Sequence, residues 1–217
     1  MASIKINNLQ LIATIFIAVL VVAVIDIYAF TFVIPNSAVN KEKRYTEAAA
    51  LLETGKYAEG KNLLDKLRGF NDVDTIQEQI KHESIACNCI KELKDYLNPD
   101  SLTLHEINFY LEAGAKEGSF PVCVMYVSGQ NVLGDNSTIY AAFTNYDKDK
   151  KYLLYATTHT LNLEDLDRES DDYDNNLNAV EFIKRLAETG KEVGSVNIDR
   201  LGTVIRNGAY SAVKIIT

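Results

Sequence analysis

Residues 9–34 form an almost uninterrupted apolar stretch with one charge, Asp26; Lys5 precedes it, and Lys41, Lys43 and Arg44 follow it. A helix needs about 20 predominantly apolar residues to cross a bilayer. The stretch reaches that length even with tilt, and its densest part, residues 11–25, holds only Ala, Ile, Leu, Val, Phe and a single Thr. A segment of this kind must be withdrawn from water, which constrains the chain more than any other feature. The chain is therefore expected to have a short N-terminal tail (residues 1–8), a transmembrane anchor in contact with the lipid bilayer (residues 9–34), and a water-facing remainder.

A cleaved signal peptide is the alternative. Its apolar region would be shorter and would end in a small-x-small cleavage site. Asn36-Ser37-Ala38 is a poor match that comes late, and no Cys lies near residue 35 for lipoprotein processing. The expectation is an uncleaved signal anchor and a single pass through the cell membrane. Asp26 has two readings. It is either an intramembrane acid, costly and so usually functional or partner-bound, or it sits at the headgroups of a core that ends at Ile25. The second is preferred, because residues 9–25 just suffice to span, and Tyr28, Phe30 and Phe32 would then lie at the interface that favours aromatic rings. Lys5 argues for a cytoplasmic N-terminus, while Lys41, Lys43 and Arg44 pull the other way. A short tail before one early anchor is the ordinary N-in layout, so the soluble region is expected on the extracytoplasmic side. A cytoplasm-facing adaptor is the competing arrangement.

The formal net charge is −8, and residues 35–217 keep all of it, because the excluded part holds one Lys and one Asp. Nucleic-acid binding calls for a basic footprint, so this balance argues against a nucleic-acid partner and against peripheral attachment to anionic lipid. Cys87, Cys89 and Cys123 make no disulfide framework. Cys87 and Cys89 stand two apart on an expected helix and point about 200° from each other. That geometry does not suit one shared metal, and CxC is not a zinc spacing. All three cysteines read as small buried apolar residues.

From Lys41 the pattern turns helical, and residues 41–97 read as a helical module. Tyr45, Ala48 and Leu52 share one face. Gly55 ends the run at an expected C-cap. A second helix carries Tyr57, Leu63, Leu64 and Leu67. Residues 69–72 form a turn, and Asp72 is an expected N-cap for a third helix that carries Val73, Ile76, Ile80, Cys87, Ile90 and Leu97 along one stripe. The pattern Tyr45-x-x-Ala48-x-x-Leu51-Leu52-x-x-Gly55-Lys56-Tyr57, followed by Leu63-Leu64-x-x-Leu67-x-Gly69-Phe70-x-Asp72, resembles a tetratricopeptide-like (TPR-like) unit. Gly60 stands where such units usually carry Ala. A solenoid with a concave groove needs about three repeats. One unit therefore implies a protein-interaction module or a helical spacer packed on the next domain, with no peptide-binding superhelix.

Residues 98–217 read as a small α+β domain. Pro99 restricts Asn98 and stops the third helix. Residues 101–111 read as a strand whose apolar phase slips between Leu102 and Leu104 on one side and Ile107, Phe109 and Leu111 on the other, which predicts a bulge. Residues 120–127 are apolar on both faces and read as a central strand. Residues 137–146 and 151–161 are further strands, joined by a turn at residues 147–150, so the order predicts an antiparallel meander. An acidic loop (164–176), a helix over 177–189, a shorter helix over 198–206 and a final strand over 210–216 complete it. The fold expected is α+β: an N-terminal transmembrane helix, a TPR-like hairpin plus a third helix, then an antiparallel sheet with C-terminal helices.

Two pieces of this region, Leu93-Lys94-Asp95-Tyr96-Leu97-Asn98-Pro99-Asp100-Ser101 and residues 122–134 ending in Gln130-Asn131-x-x-Gly134, resemble a signature of small bacterial envelope proteins of unknown function. With the hairpin and the anchor, the chain looks like single-pass membrane proteins of Gram-positive bacteria. Asp135 stands where that pattern has a second Gly. The resemblance implies an envelope setting and an α+β fold, and it implies no activity.

Three segments are candidates for chemistry. The segment from Glu164 to Asp174 holds seven acids and one base, Arg168. Read as an EF-type loop from Asp165, it places Asp167, Glu169 and Asp171 at positions 3, 5 and 7, but puts Ser170 where the turn needs Gly and Asn176 where the bidentate Glu belongs. It therefore reads as a solvated loop, with calcium binding as the alternative. His105, beside Glu106, and His159 fall in strand patterns and could meet across a sheet as metal ligands or an acid/base pair. The loop 130–136, with Asn131 to bond its own turn and Gly134 to take unusual angles, is where a binding function would sit. No GxSxG, HExxH, P-loop or GxGxxG occurs. The chain is therefore expected to be no enzyme, with no catalytic, cofactor-binding or metal residue assigned. Its expected role is interaction or support at the bacterial envelope, with another protein as the partner. A metal-dependent binder or enzyme using the acidic loop or the strand histidines is the alternative.

Overall fold

The computed structural model describes residues 8–33, 37–116, 118–145 and 152–216; the side chains of residues 8–16, 18 and 32 are outside the description. The tail with Lys5, the link 34–36 and the turn expected at 147–150 lie outside the described residues. Two compact units divide between Thr46 and Glu47.

In the first unit, α1 runs from Asn8 to Tyr28 and continues as a π-helical turn, Ala29–Val33. Its described apolar side chains from Ile17 to Tyr28 are 51–63% exposed, and Asp26 is exposed as well. Among the described residues, no helix is long and apolar enough to cross a membrane. The first part of the expected anchor, residues 9–16, contributes no described side chains. The division between the units falls inside α2, Ala38–Glu53.

The second unit is α+β. Ala48 and Leu52 at the end of α2 are buried, and the chain turns back through Gly55 into α3, Tyr57–Leu64. Gly60 sits against Leu52: a Cβ there would come 2.7 Å from Leu52 Cδ2, so the small residue permits the close approach. A turn through Gly69 and Asn71, both at positive φ, leads into α4, Val73–Glu92. Asp72 precedes α4, but its side chain does not cap it. A 3-10 turn, Leu93–Asp95, extends the helix.

Five antiparallel strands follow: β1 Thr103–Leu111, β2 Val122–Gln130, β3 Asn136–Asn145, β4 Tyr152–Thr158 and β5 Lys191–Gly194. Their order is β4-β3-β2-β1-β5. The first four form the expected meander with β2 inside it. The register of β1 on β2 shifts between Leu104 and Glu106, where the sequence phase slips. Because neighbouring residues of a strand face opposite sides, the sheet has two distinct faces. Ile107, Phe109, Cys123, Met125, Val127, Ile139, Ala141 and Phe143 are all buried on the face that meets α4, where His82 stacks on Phe109 and Cys89 faces Cys123. On the other face Val122 and Ala142 pack against Phe182, Ile183 and Leu186 of α5, Tyr173–Thr189. Fully burying one such side chain is worth about 1.5–3 kcal/mol, so the two helix–sheet layers hold the unit together.

The end of the chain departs from expectation. The helix expected over 198–206 is α6, Ile198–Arg206. Residues 210–216, expected as a strand, instead form a 3-10 turn, Ala209–Ala212, and irregular backbone. The fifth strand is β5, which pairs with the far end of β1. The tail is held by polar bonds to α4: Lys91 Nζ donates to Val213 O at 2.7 Å and Ile216 N to Ser84 Oγ at 3.1 Å.

Candidate functional site

The described surface of the second unit is indented by an open cleft of about 850 Å³. Its walls come from distant parts of the sequence: Tyr96 after α4, Asn131 in the β2–β3 turn, Ser137 and Ile139 of β3, residues 154–157 of β4, His159, and Asp172, Asn175, Asn178, Glu181, Phe182 and Arg185 along one side of α5. Four consecutive residues of β4 line it, and the register on β3 shifts between Leu154 and Ala156, so Tyr155 is an extra residue at a bulge. Among the described residues β4 pairs with β3 alone, and its outer side is the edge of the sheet.

Local chemistry fixes each wall. The Asn98 side chain accepts from Asp100 N at 3.1 Å, and Pro99 begins a short 3-10 turn. Asn98 N donates to Gln130 O at 2.7 Å, while Ser101 Oγ donates to Asn98 O at 2.8 Å and accepts from Gln130 N at 2.8 Å. Leu97 also bridges to Asn131. The two halves of the sequence signature are thus one clasp, which fastens the β2–β3 turn to the end of α4. In that turn Asn131 Oδ1 accepts from Leu133 N at 2.9 Å and from Asp135 N at 3.0 Å, and Gly134 has φ +89°. Asp135 needs no left-handed backbone, so the turn closes without a second Gly. The turn holds Val132 and Leu133, the two residues that directly follow Asn131, 72% and 83% exposed.

On the other side, Arg185 lies over the Phe182 ring at 5.5 Å, and Tyr155 meets that ring with centroids 4.5 Å apart. His159 Nδ1 is 3.2 Å from Thr138 O. Asp172 and Glu181 stand against Arg185 as the lining carboxylates, and the rest of the acidic loop continues from Asp172. Its side chains bond the loop's own amides, as in Asp167 Oδ1 with Glu169 N at 3.0 Å and Ser170 Oγ with Asp172 N at 3.2 Å.

The residues singled out in the sequence are only partly assembled. Asn131, His159, Asp172 and Asn176 share the cleft. His105 does not line it. Its Nε2 is 2.8 Å from Ser128 Oγ, and its ring stacks on Tyr126, which stacks in turn on Tyr140. Glu106 bonds Asn108 instead. Among the described residues no group of three or more His, Cys, Asp or Glu is placed to hold a metal ion. Cys87, Cys89 and Cys123 are buried free thiols. Burial pushes the Cys87 thiol up to about 12, and it raises Cys89, which faces Cys123. The Tyr152 hydroxyl, close to both of those thiols, is raised by burial and lacks a hydrogen bond.

Sequence reading missed the α5 wall and the β4 edge. Asn175, Asn178, Phe182 and Arg185 recur at helical spacing, and that periodicity was the available signal. No family model matches the chain, and no curated protein or solved structure matches it either.

Proposed function

We propose that this chain is a single-pass, membrane-anchored envelope protein without catalytic activity, whose second unit binds another protein through the cleft at the β4 edge. The observation that carries the reading is the cleft itself: an open, preformed groove in which three polar side chains are engaged in holding its shape. Asn131 closes its own turn, His159 meets a backbone carbonyl, and Arg185 covers a ring. Groups committed in this way suit recognition better than bond making. The exposed apolar residues Tyr96 and Tyr155 line the groove, and Val132 and Leu133 adjoin it, which favours a partner with apolar side chains of its own.

The anchor reading is supported by the uncharged run from Leu9 to Ile25. The described side chains that follow in α1 are exposed and, apart from Asp26, apolar, an arrangement that lipid would satisfy better than water.

Protease shaving of intact cells carrying a C-terminal tag tests the placement. Loss of the tag is expected. Digestion only after lysis would put the second unit in the cytoplasm and replace an envelope protein with an adaptor. For the cleft, photo-crosslinking from position 178 in cells is expected to trap a protein partner that a crosslinker at exposed Glu169 does not trap. Equal trapping at both positions would remove the cleft from the reading.

A further inference from the structure

We infer that a second, smaller pocket between α5 and the middle of the sheet binds a primary alkylammonium group, its charged head at Glu106 and its apolar stem against α5. This pocket shares no lining residue with the cleft, so its ligand is independent of the cleft's partner. It opens where α5 stops covering the sheet. Val122 and Ala142 are buried beneath Phe182, Ile183 and Leu186. One step further along the same face, Val124 is only half-buried although it sits in an inner strand. Tyr126 and Tyr140 are half-buried too, and Glu106 is exposed. The space left is about 180 Å³. At about 30 Å³ per water that is room for about six waters, which suits one short alkyl chain with a charged head.

The walls divide by chemistry. Val124, Leu161 and Ile183 make an apolar side, and Glu106 with the tyrosines makes a polar one. Glu106, Tyr126 and Tyr140 lie directly opposite one another across β1, β2 and β3, so they share one face. Among the described lining residues Glu106 carries the single charge, with no Lys or Arg beside it. Asn108 Nδ2 donates to Glu106 Oε1 at 2.6 Å. A carboxylate has about four acceptor positions, so Glu106 can take further donors. Burial, then Glu192 and Glu106, raise the Tyr110 hydroxyl; burial, then Tyr126 and Glu106, raise that of Tyr140. The negative field that resists a tyrosinate favours a cation. The rings decide which kind. Tyr126 stacks on Tyr140 with centroids 4.4 Å apart and on His105, the extra residue at the β1 bulge, at 4.6 Å. Because β2 lies between β1 and β3, both faces of Tyr126 are covered. A quaternary ammonium depends on open ring faces. A primary ammonium instead brings three N–H donors, which the carboxylate and phenol oxygens accept.

The test uses the full chain in nanodiscs of zwitterionic lipid, with empty nanodiscs as the blank and n-butylammonium as the probe, read by saturation-transfer NMR. Saturable transfer to n-butylammonium is expected, with none above the blank for n-butanol and clearly weaker binding of tetramethylammonium. Glu106→Gln is expected to weaken binding about tenfold, since it removes a charge-assisted hydrogen bond. Ala187→Leu, which fills the pocket from α5, is expected to abolish binding, and both variants are expected to keep the native circular dichroism. Nα-acetyl-lysinamide separates the sources of the ammonium group: tighter binding than n-butylammonium assigns the pocket to a lysine side chain of another protein, and equal or weaker binding assigns it to a small free amine. Absence of transfer, equal transfer to n-butanol or tetramethylammonium, or unchanged affinity in either folded variant overturns the inference.

Discussion

The Glu83 side chain is fully buried, and three donors converge on its carboxylate oxygens. Arg200 Nε donates at 2.9 Å, Arg200 Nη2 donates to the second oxygen, and Asn197 N donates at 3.1 Å. Tyr57 lies beside it with a hydroxyl out of good hydrogen-bond geometry, raised by burial first and then by Cys87 and Glu83. Breaking a buried pair by removing one partner costs about 3–5 kcal/mol, whereas replacing both partners with apolar groups is often neutral. Arg200→Met is therefore expected to lose stability on that scale in urea unfolding, and the double change Glu83→Met with Arg200→Met to recover most of it. His82 gives a second, pH-dependent expectation. Burial lowers it from the ordinary 6.5, against the opposing effect of the Glu78 carbonyl. Its ring stacks on Phe109 with centroids 4.6 Å apart and rests on Gly194, where any Cβ would collide with it. The folded state resists protonation while the unfolded chain accepts it near 6.5. This contribution is therefore complete above about pH 6.5 and is lost as pH falls below that value toward the lowered one. Urea unfolding at pH 7.5 and 5.5 is expected to show a smaller pH loss in His82→Phe than in the natural chain; equal losses would remove His82 from the account.

Among the elements, the clasp between residues 98–101 and the β2–β3 turn bears most directly on the cleft. Ser101→Ala removes two bonds at once and leaves Gln130 N without its partner. A loss of about 0.5–1.5 kcal/mol is expected, with faster hydrogen exchange at residues 130–135, because both bonds lie at an exposed site where water replaces them. The elements that were legible in the sequence have strong local signals. The β1 bulge follows from its phase slip, the meander from alternation, and α6 from its amphipathic spacing. The tail 210–216 has strand composition in Val213, Ile215 and Ile216. Its backbone is instead taken up by Lys91 and Ser84 of α4, which no local pattern reveals. β5 escaped for the opposite reason: Lys-Glu-Val-Gly is short and polar, and it becomes a strand only because the end of β1 offers a partner. The cleft was half legible, since Asn131 and His159 drew notice alone while their meeting with α5 depends on how the sheet is layered.

At the scale of the molecule, the second unit buries Cys87, Cys89 and Cys123. A buried thiol raised above its ordinary range is a poor nucleophile. Ellman's reagent is expected to find essentially no reactive thiol in the native protein and three in guanidinium chloride. The onset of reactivity is expected to coincide with loss of circular dichroism, and partial labelling below that midpoint would show that the layers separate one at a time. The two ends of the sheet are unequal. β5 is four residues long, carries Lys191 and Glu192, and gives way to the segment that leads into α6, whereas β4 is seven residues long and lines an open groove. If that groove is the binding site proposed above, one partner fills it, and a titration is expected to saturate at one partner per molecule.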